Sequence, residues 1–338
     1  MNILMIGGTG LLGSEAAAEL IRRGHRVKTI SLPPIPAGAV LPQDMQISFG
    51  NYMDMPDDAL RAHLQGCEGL VFAAGVDERV EGPSPIYEFF QKYNSTPLER
   101  LLRLAKEAGV RHVVVCGSYF AYFAKQWPAL ELTRWHPYIR SRIDQETMAL
   151  SFADDTFSVG ILELPYIFGT QPGRKPVWVF LVDIIRGMKG ATFYPKGGTA
   201  MVTVRQVGQA IAGALERTQK GQCWPIGYEN LTWKALLTIM HKYMGMPKRK
   251  VVTVPKWLYR LGSRSIVRKQ RRQGQEGGLD MERFADVQCA QTYIDKELGC
   301  VPLGVQPDDI DKAIGESVQL CLTILDGKAT EMVDMKGA

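Results

Sequence analysis

The sequence predicts an α/β protein, a doubly wound parallel sheet with a smaller C-terminal lobe. Three observations predict it. Short apolar runs alternate with helical runs through the first half of the chain, the pattern of a parallel sheet covered on both faces. Glycines 7, 8, 10 and 13 follow the first of those runs at once. From Pro165 the alternation breaks, interrupted by Pro165, Pro172, Pro176 and Pro195.

Taken in order, Ile3–Ile6 reads as a short buried strand. Ser14–Arg23 reads as a helix with Ala17, Leu20 and Ile21 inward, stopped by Gly24. Val27–Ile30, Gln46–Ser48 and Leu70–Ala73 are the next three strands. A helix over Leu98–Glu107 ends at Gly109, and Val113–Cys116 is a fifth strand, β-branched throughout its first three residues. Arg140–Leu150 reads as a helix and Ser158–Leu164 as a strand. Helix Gln206–Glu216 and a short strand near Cys223–Ile226 return to the same sheet. The division expected is a sheet domain over residues 1–165 with a return segment at about 201–227, and a substrate lobe from 166–200 and 228–330.

Composition narrows the function classes. The 338 residues are 46% hydrophobic and 22% charged, ordinary for a globular protein able to bury a core without disulfides or metals. Forty Lys and Arg against 35 Asp and Glu give +5. The segment Lys248–Arg272 alone holds ten bases and no acid, so the remainder stands at 30 against 35, or −5. A mildly acidic body with one basic strip, not interleaved with several aromatics, argues against a nucleic-acid partner. The strip reads either as a solvated helix face or as a contact for an anionic membrane or acidic partner.

The six cysteines form no C-x-x-C pair and the five histidines lack ligand spacing, so neither a disulfide framework nor a metal is expected. The N-terminus has no basic leader, and Val177–Ile185 is broken by Asp183. A cytoplasmic location without a membrane span is expected.

The strongest motif is Gly7-Gly8-Thr9-Gly10-Leu11-Leu12-Gly13, directly after a strand and opening a helix. Glycines let the backbone turn tightly and approach a pyrophosphate, and the helix N-terminus offers unclaimed N–H groups. A tight turn without a ligand is the blander reading.

That G-x-x-G-x-x-G spacing resembles the extended and atypical short-chain dehydrogenase/reductases, the superfamily of NAD(P)-dependent sugar epimerases and dehydratases, built on a Rossmann-type sheet. Other segments fit the resemblance. His25–Leu32 looks like the family's second strand, and Phe49-Gly50-Asn51-Tyr52 resembles its element beside adenine. Gly66–Gly75 is similar to the stretch ending in its His-x-Ala-Ala turn. Asn94 matches an asparagine ahead of the fifth strand, and Val113–Tyr122 resembles that strand with its serine, placing Ser118 on the catalytic position. Tyr138-Ile139-Arg140-Ser141-Arg142 resembles the Tyr-x-x-x-Lys pair, and Leu164–Gly169 the proline turn that packs on nicotinamide. Met201–Ala212 resembles the segment re-entering the sheet.

The resemblance implies catalytic roles for Ser118, Tyr138, Arg142 and Asn94. It implies cofactor contacts from Gly7, Thr9, Gly10, Leu11, Leu12, Gly13, Ser31, Asn51, Tyr52, Ala73, Ala74, Gly75, Tyr138, Arg142 and Pro165, and a homodimer as the common assembly. Ser118 and Tyr119 would meet the substrate, and Arg174 would grip an anionic group on it; the blander reading of Arg174 is a solvated loop charge.

Two departures matter. Ser31 stands where an NAD enzyme places an acid for the ribose, which leans slightly toward NADP over NAD, although no arginine at Leu32 grips a 2′-phosphate. Arg142 replaces lysine. A cation one turn beyond Tyr138 is expected to lower its phenol, but arginine is a poor proton relay. An ordinary i,i+4 surface pair is the alternative.

The function implied is an NAD(P)-dependent oxidoreductase or epimerase/dehydratase-type enzyme. Hydride would move between a substrate carbinol or carbonyl carbon and nicotinamide, on a sugar nucleotide, another polyol or a lipid-like alcohol. The alternative is an NADP(H)-binding sensor or scaffold with little catalysis.

Overall fold

The computed structural model describes residues 1–35, 37–328 and 332–333. The last two positions of the 228–330 segment lie outside the described residues. Seven parallel strands form the central sheet: β1 (Asn2–Ile6), β2 (Arg26–Ser31), β3 (Gln46–Phe49), β4 (Gly69–Phe72), β5 (His112–Cys116), β6 (Ser158–Glu163) and β7 (Gly221–Pro225). Their spatial order is β7-β6-β5-β4-β1-β2-β3. β1 pairs with β2 on one side and β4 on the other, so the order reverses there and opens a crevice at the carboxyl ends of β1 and β4.

Both sheet faces are buried, which is why the strands read as unbroken apolar runs. Ile3 and Met5 point to one face, where α1 (Leu11–Arg22) packs through Ala16, Ala17 and Leu20. Leu4 and Ile6 point to the other face and meet residues of α2 (Asp57–Leu64), α3 (Thr96–Glu107) and the later α5 (Pro137–Leu150). Between α3 and α5 lies α4 (Tyr119–Gln126).

α5 begins three residues before the expected Arg140. Pro137 opens it, its missing N–H falling where no intrahelical acceptor exists, and Tyr138 therefore sits in the first turn. α2 escaped the reading of the sequence because only Leu60 and Leu64 of its eight residues are buried.

Beyond β6 the chain forms α6 (Val179–Gly187) and α7 (Val204–Arg217), the latter opened by a capping box. In that box Thr203 Oγ1 accepts from Gln206 N at 3.2 Å, and Gln206 Oε1 accepts from Thr203 N at 3.0 Å. α7 packs its Val207 and Ile211 onto the α1 face of the sheet, and β7 follows it as the edge strand beside β6.

A smaller sheet pairs Gly198–Thr203 with Tyr166–Phe168, Glu229–Thr232 and Gln291–Thr292, and a parallel ribbon joins Ala191–Pro195 to Lys250–Val254. α8 (Trp233–Tyr243), α9 (Lys256–Arg272) and α10 (Ile310–Leu325) complete this half. Its core holds Phe168, Trp178, Trp233, Leu237 and Ile314. A third cluster, with Phe90, Tyr119, Phe120, Tyr138, Leu279 and Phe284, joins the two halves. Among the described residues no helix is long and apolar enough to cross a membrane.

Candidate active site

The glycine turn closes at the carboxyl end of β1. Gly7 lies at φ +89° and its carbonyl accepts from Gly10 N at 3.0 Å, while Gly8 N donates to Thr29 Oγ1 at 2.9 Å. A Cβ on Gly13 would lie 2.2 Å from Gly7 O, so the helix can approach the turn only without a side chain there. Gly10 caps α1 with no side-chain hydrogen bond, leaving the first-turn N–H groups of Leu11, Leu12 and Gly13 to face a ligand. These features fit the pyrophosphate of a dinucleotide.

Arg174 arrives at this turn from the other half of the molecule. Its Nη2 donates to Thr9 Oγ1 at 3.3 Å, its Nε is buried without a partner among the described residues, and Thr9 is itself buried. The backbone around Arg174 is strapped by Val333, which accepts from Lys175 N at 3.1 Å and donates to Gly173 O at 2.9 Å. The Arg174 cation thus stands beside the glycine turn.

The expected adenine and ribose contacts are mostly spent inside the protein. The Ser31 hydroxyl is buried 3.3 Å from Thr29 Oγ1. Asn51 Oδ1 accepts from Met53 N at 3.1 Å and its Nδ2 donates to Asp54 at 2.6 Å, so its amide holds its own turn. Tyr52 packs edge-on against Phe72 at 6.0 Å, and burial pushes its phenol up to about 12. Beside Tyr52 lies a cavity of about 410 Å³ lined also by Gln91, Thr96 and Arg100. Ala73 N donates to Ile6 O at 3.0 Å, and a Cβ on Gly7 would meet Ala73 O at 2.7 Å, so the Ala73-Ala74-Gly75 turn flanks the glycine turn directly.

Asn94 is fully buried on a π-helical turn over Gln91–Ser95. Its Oδ1 accepts from Val76 N at 2.8 Å and its Nδ2 donates to Val76 O at 3.1 Å. Gly75 lies at φ +128°, and a Cβ there would come within 2.5 Å of Asn94 Oδ1. Both ends of the Asn94 side-chain amide are thus committed to the Val76 backbone just after β4. Its carbonyl accepts from Gln145 Nε2 at 2.7 Å, and Gln145 Oε1 accepts from Arg142 Nη1 at 2.8 Å.

Ser118 follows β5 and caps α4, its Oγ accepting from Phe120 N at 3.4 Å. Tyr138, 3% exposed, is anchored by its backbone N–H to Gly278 O at 3.0 Å, with its ring edge-on to Phe90 at 5.3 Å and Phe120 at 6.4 Å. Arg142 is buried, donates also to Val76 O at 3.2 Å, and places its guanidinium carbon 5.0 Å from the Tyr138 ring centre. The surface-pair alternative fails on that burial.

The Tyr138 phenol is nevertheless raised above its ordinary value. Burial is the largest cause; the Arg142 charge opposes it, Glu78 adds to it, and hydrogen bonding to Arg142 and Ser118 opposes it. The lowering expected from the adjacent cation is therefore outweighed.

Tyr119, expected at the substrate, is buried with its hydroxyl 3.0 Å from Thr199 Oγ1 and its ring 6.1 Å from Tyr166. Pro165 is buried at the turn between β6 and Tyr166.

Two features escaped the sequence reading. Glu78, in the loop after β4, acts electrostatically on Tyr119, Tyr138 and Tyr166. Burial and the neighbouring Asp77 push its carboxyl up to about 7. Its position just past a strand's carboxyl end, where α/β sites gather, was the available signal. The second is Lys125, whose ammonium lies 2.8 Å from both Glu146 and Glu163, two buried acids.

Comparison with known proteins shows what the chain is similar to. The model of the NAD(P)H-binding family NAD_binding_10 matches residues 7–151. A 3 beta-hydroxysteroid dehydrogenase/Delta 5-->4-isomerase of Mycobacterium tuberculosis is 28% identical over 122 residues, 35% of this chain. The match spans only 31% of that relative's length. Among solved structures, gox2253 superposes with a TM-score of 0.72 at 22% identity, covering 97% of this chain and 99% of that one. A UDP-glucuronic acid 4-epimerase from Bacillus cereus in complex with NAD superposes with a TM-score of 0.67 at 13% identity, covering 96% and 99%.

Proposed function

We propose that the chain is a member of the extended short-chain dehydrogenase/reductase superfamily and an oxidoreductase or epimerase-type enzyme moving hydride at a carbinol or carbonyl carbon of its substrate. The observation that carries this reading is the buried group Ser118, Tyr138 and Arg142 at the strand ends beside the glycine turn. When bound, a nicotinamide supplies or accepts the hydride. Gly7–Gly13 and Arg174 would hold its pyrophosphate, and Ser31 in place of an acid favours NADP over NAD.

Tyr138 carries its proton at neutral pH, because burial raises the phenol. It is therefore poised to donate to a carbonyl oxygen as hydride reaches the carbon. Ser118 orients that oxygen by hydrogen bonding to it. Arg142 holds the Tyr138 ring and offsets part of its burial. Asn94 and Gln145 position Arg142 and the Val76 turn.

The aromatic cluster of Tyr119, Phe120 and Tyr166 that packs with Tyr138 supports an alcohol or ketone with an apolar body over a sugar nucleotide. The steroid-active relative supports the same choice. The test is calorimetric titration with NADP⁺, NADPH, NAD⁺ and NADH in parallel, followed by a screen of ketones with the cofactor that binds. Tight binding of the NADP pair and turnover of an apolar ketone are expected. Binding of none would remove the enzyme reading at its foundation.

The sensor or scaffold reading draws on one observation, that Arg142 is fixed to Gln145 and Val76 and cannot relay a proton. Cofactor binding without turnover of any ketone would favour it.

A further inference from the structure

The ten bases of Lys248–Arg272 do not form one uniform face. Along α9 each residue advances about 100° around the axis. Ser263, Val267 and Gln270 point inward, and Gln270 Nε2 donates to Glu81 Oε1 at 3.0 Å. Beside this inward face, four cations are neutralised by acids of the following segment. Lys256 pairs with Asp286, as does Arg260 at 2.8 Å; Arg264 pairs with Glu282 at 2.7 Å and Arg271 with Asp280 at 3.5 Å.

The opposite third of the helix is different. Trp257, Leu258, Leu261, Ser265, Arg268, Lys269 and Arg272 share an arc of about 120° by the same geometry, and all are exposed. Trp257 is 68% exposed and Leu261 56%. Among the described residues Arg268, Lys269 and Arg272 have no ion-pair partner, unlike the four cations beside the inward face. The ribbon leading into α9 adds exposed Phe193 and Val252, partners in register.

We propose that this outer arc of α9 docks on an anionic lipid surface. Trp257, Leu258 and Leu261 enter the interface at the N-terminal end, and Arg268, Lys269 and Arg272 meet lipid phosphates and carboxylates at the other. The unneutralised charge beside the apolar residues is what selects this occupant: a second copy of the chain would have to bury three like charges against itself.

The test is co-sedimentation of the full chain with phosphatidylcholine vesicles, with and without about 30 mol% phosphatidylserine, at low and high salt. The expected result is binding to the anionic vesicles alone, weakened by salt. The triple variant Arg268→Glu, Lys269→Glu, Arg272→Glu should lose on the order of 100-fold in affinity. The double variant Trp257→Ala, Leu261→Ala should also detach, with NAD(P) binding and circular dichroism unchanged in both. No binding at low salt, or equal binding by the charge-reversed variant, would overturn the proposal. So would sedimentation velocity showing a dimer that the Trp257→Ala, Leu261→Ala variant dissociates, since a second copy would then cover the face. Cofactor titrations test the enzyme reading separately.

Discussion

The guanidinium of Arg142 stacks over the ring of Tyr138 at 5.0 Å, one helical turn further along α5, and is held there by Gln145 and the Val76 carbonyl. The cation is thus fixed to the ring face and to two acceptors of its own. Its charge offsets the cost of ionising the phenol without reversing it, so burial sets the protonation state.

Replacing Tyr138 by phenylalanine removes the proton donor while keeping the edge-on packing with Phe90 and Phe120. Turnover should fall by about 10²–10⁴-fold with cofactor affinity unchanged. Because the phenol is raised, the reductive rate of the parent enzyme should be level between about pH 7 and pH 9 and decline only above the ordinary tyrosine range. An unchanged rate in the variant would exclude Tyr138 as the donor.

Substituting Arg142→Lys keeps a charge but cannot supply two separate N–H donors and a planar stack at once. Stability should drop by about 1.5–3 kcal/mol and turnover with it, read by urea titration and initial rates. A gain in turnover would instead mark Arg142 as an impaired replacement, and the sensor reading would strengthen.

Arg174→Ala removes the cation over Thr9. Calorimetry should show cofactor affinity weakened by about 10–100-fold, the worth of one charge-assisted hydrogen bond. Unchanged cofactor affinity with a raised substrate KM would return Arg174 to the substrate.

The trio of Lys125, Glu146 and Glu163 makes stability depend on pH. Burial pushes the Glu163 carboxyl up to about 7 from 4.5, and Glu146 is raised as well. A carboxyl raised in the folded state contributes stability that is complete below about pH 4.5 and is lost as pH rises through about 7. Relative to Glu163→Gln, the parent protein should lose on the order of 3 kcal/mol across that window. Urea titrations of both proteins at about pH 5 and about pH 8 check this; equal losses would mean that Glu163 titrates normally.

How much was legible depends on distance along the chain. The glycine turn could be read because strand, turn and helix N-terminus lie within Asn2–Arg22, and Gly13 answers to a steric limit set by Gly7 and Gly8 in that short stretch. The Tyr138–Arg142 pairing could be read because helical spacing alone brings them together. Asn94 was found by resemblance, but its contacts could not be read, because the Val76 backbone that engages its amide lies 18 positions away in a different element.

The sequence by itself determined the sheet strands, the glycine turn and the identity of the tyrosine–arginine pair, since backbone propensity and helical periodicity act over a few residues. Only the tertiary structure decided what charge and burial do. It carried Arg174 across 165 positions to Thr9, divided the basic strip by bringing Asp280, Glu282 and Asp286 against one side of α9, and raised the Tyr138 phenol against its own neighbouring cation. Desolvation and ion pairing are properties of what surrounds a group in space, and that environment is assembled from segments far apart in the chain.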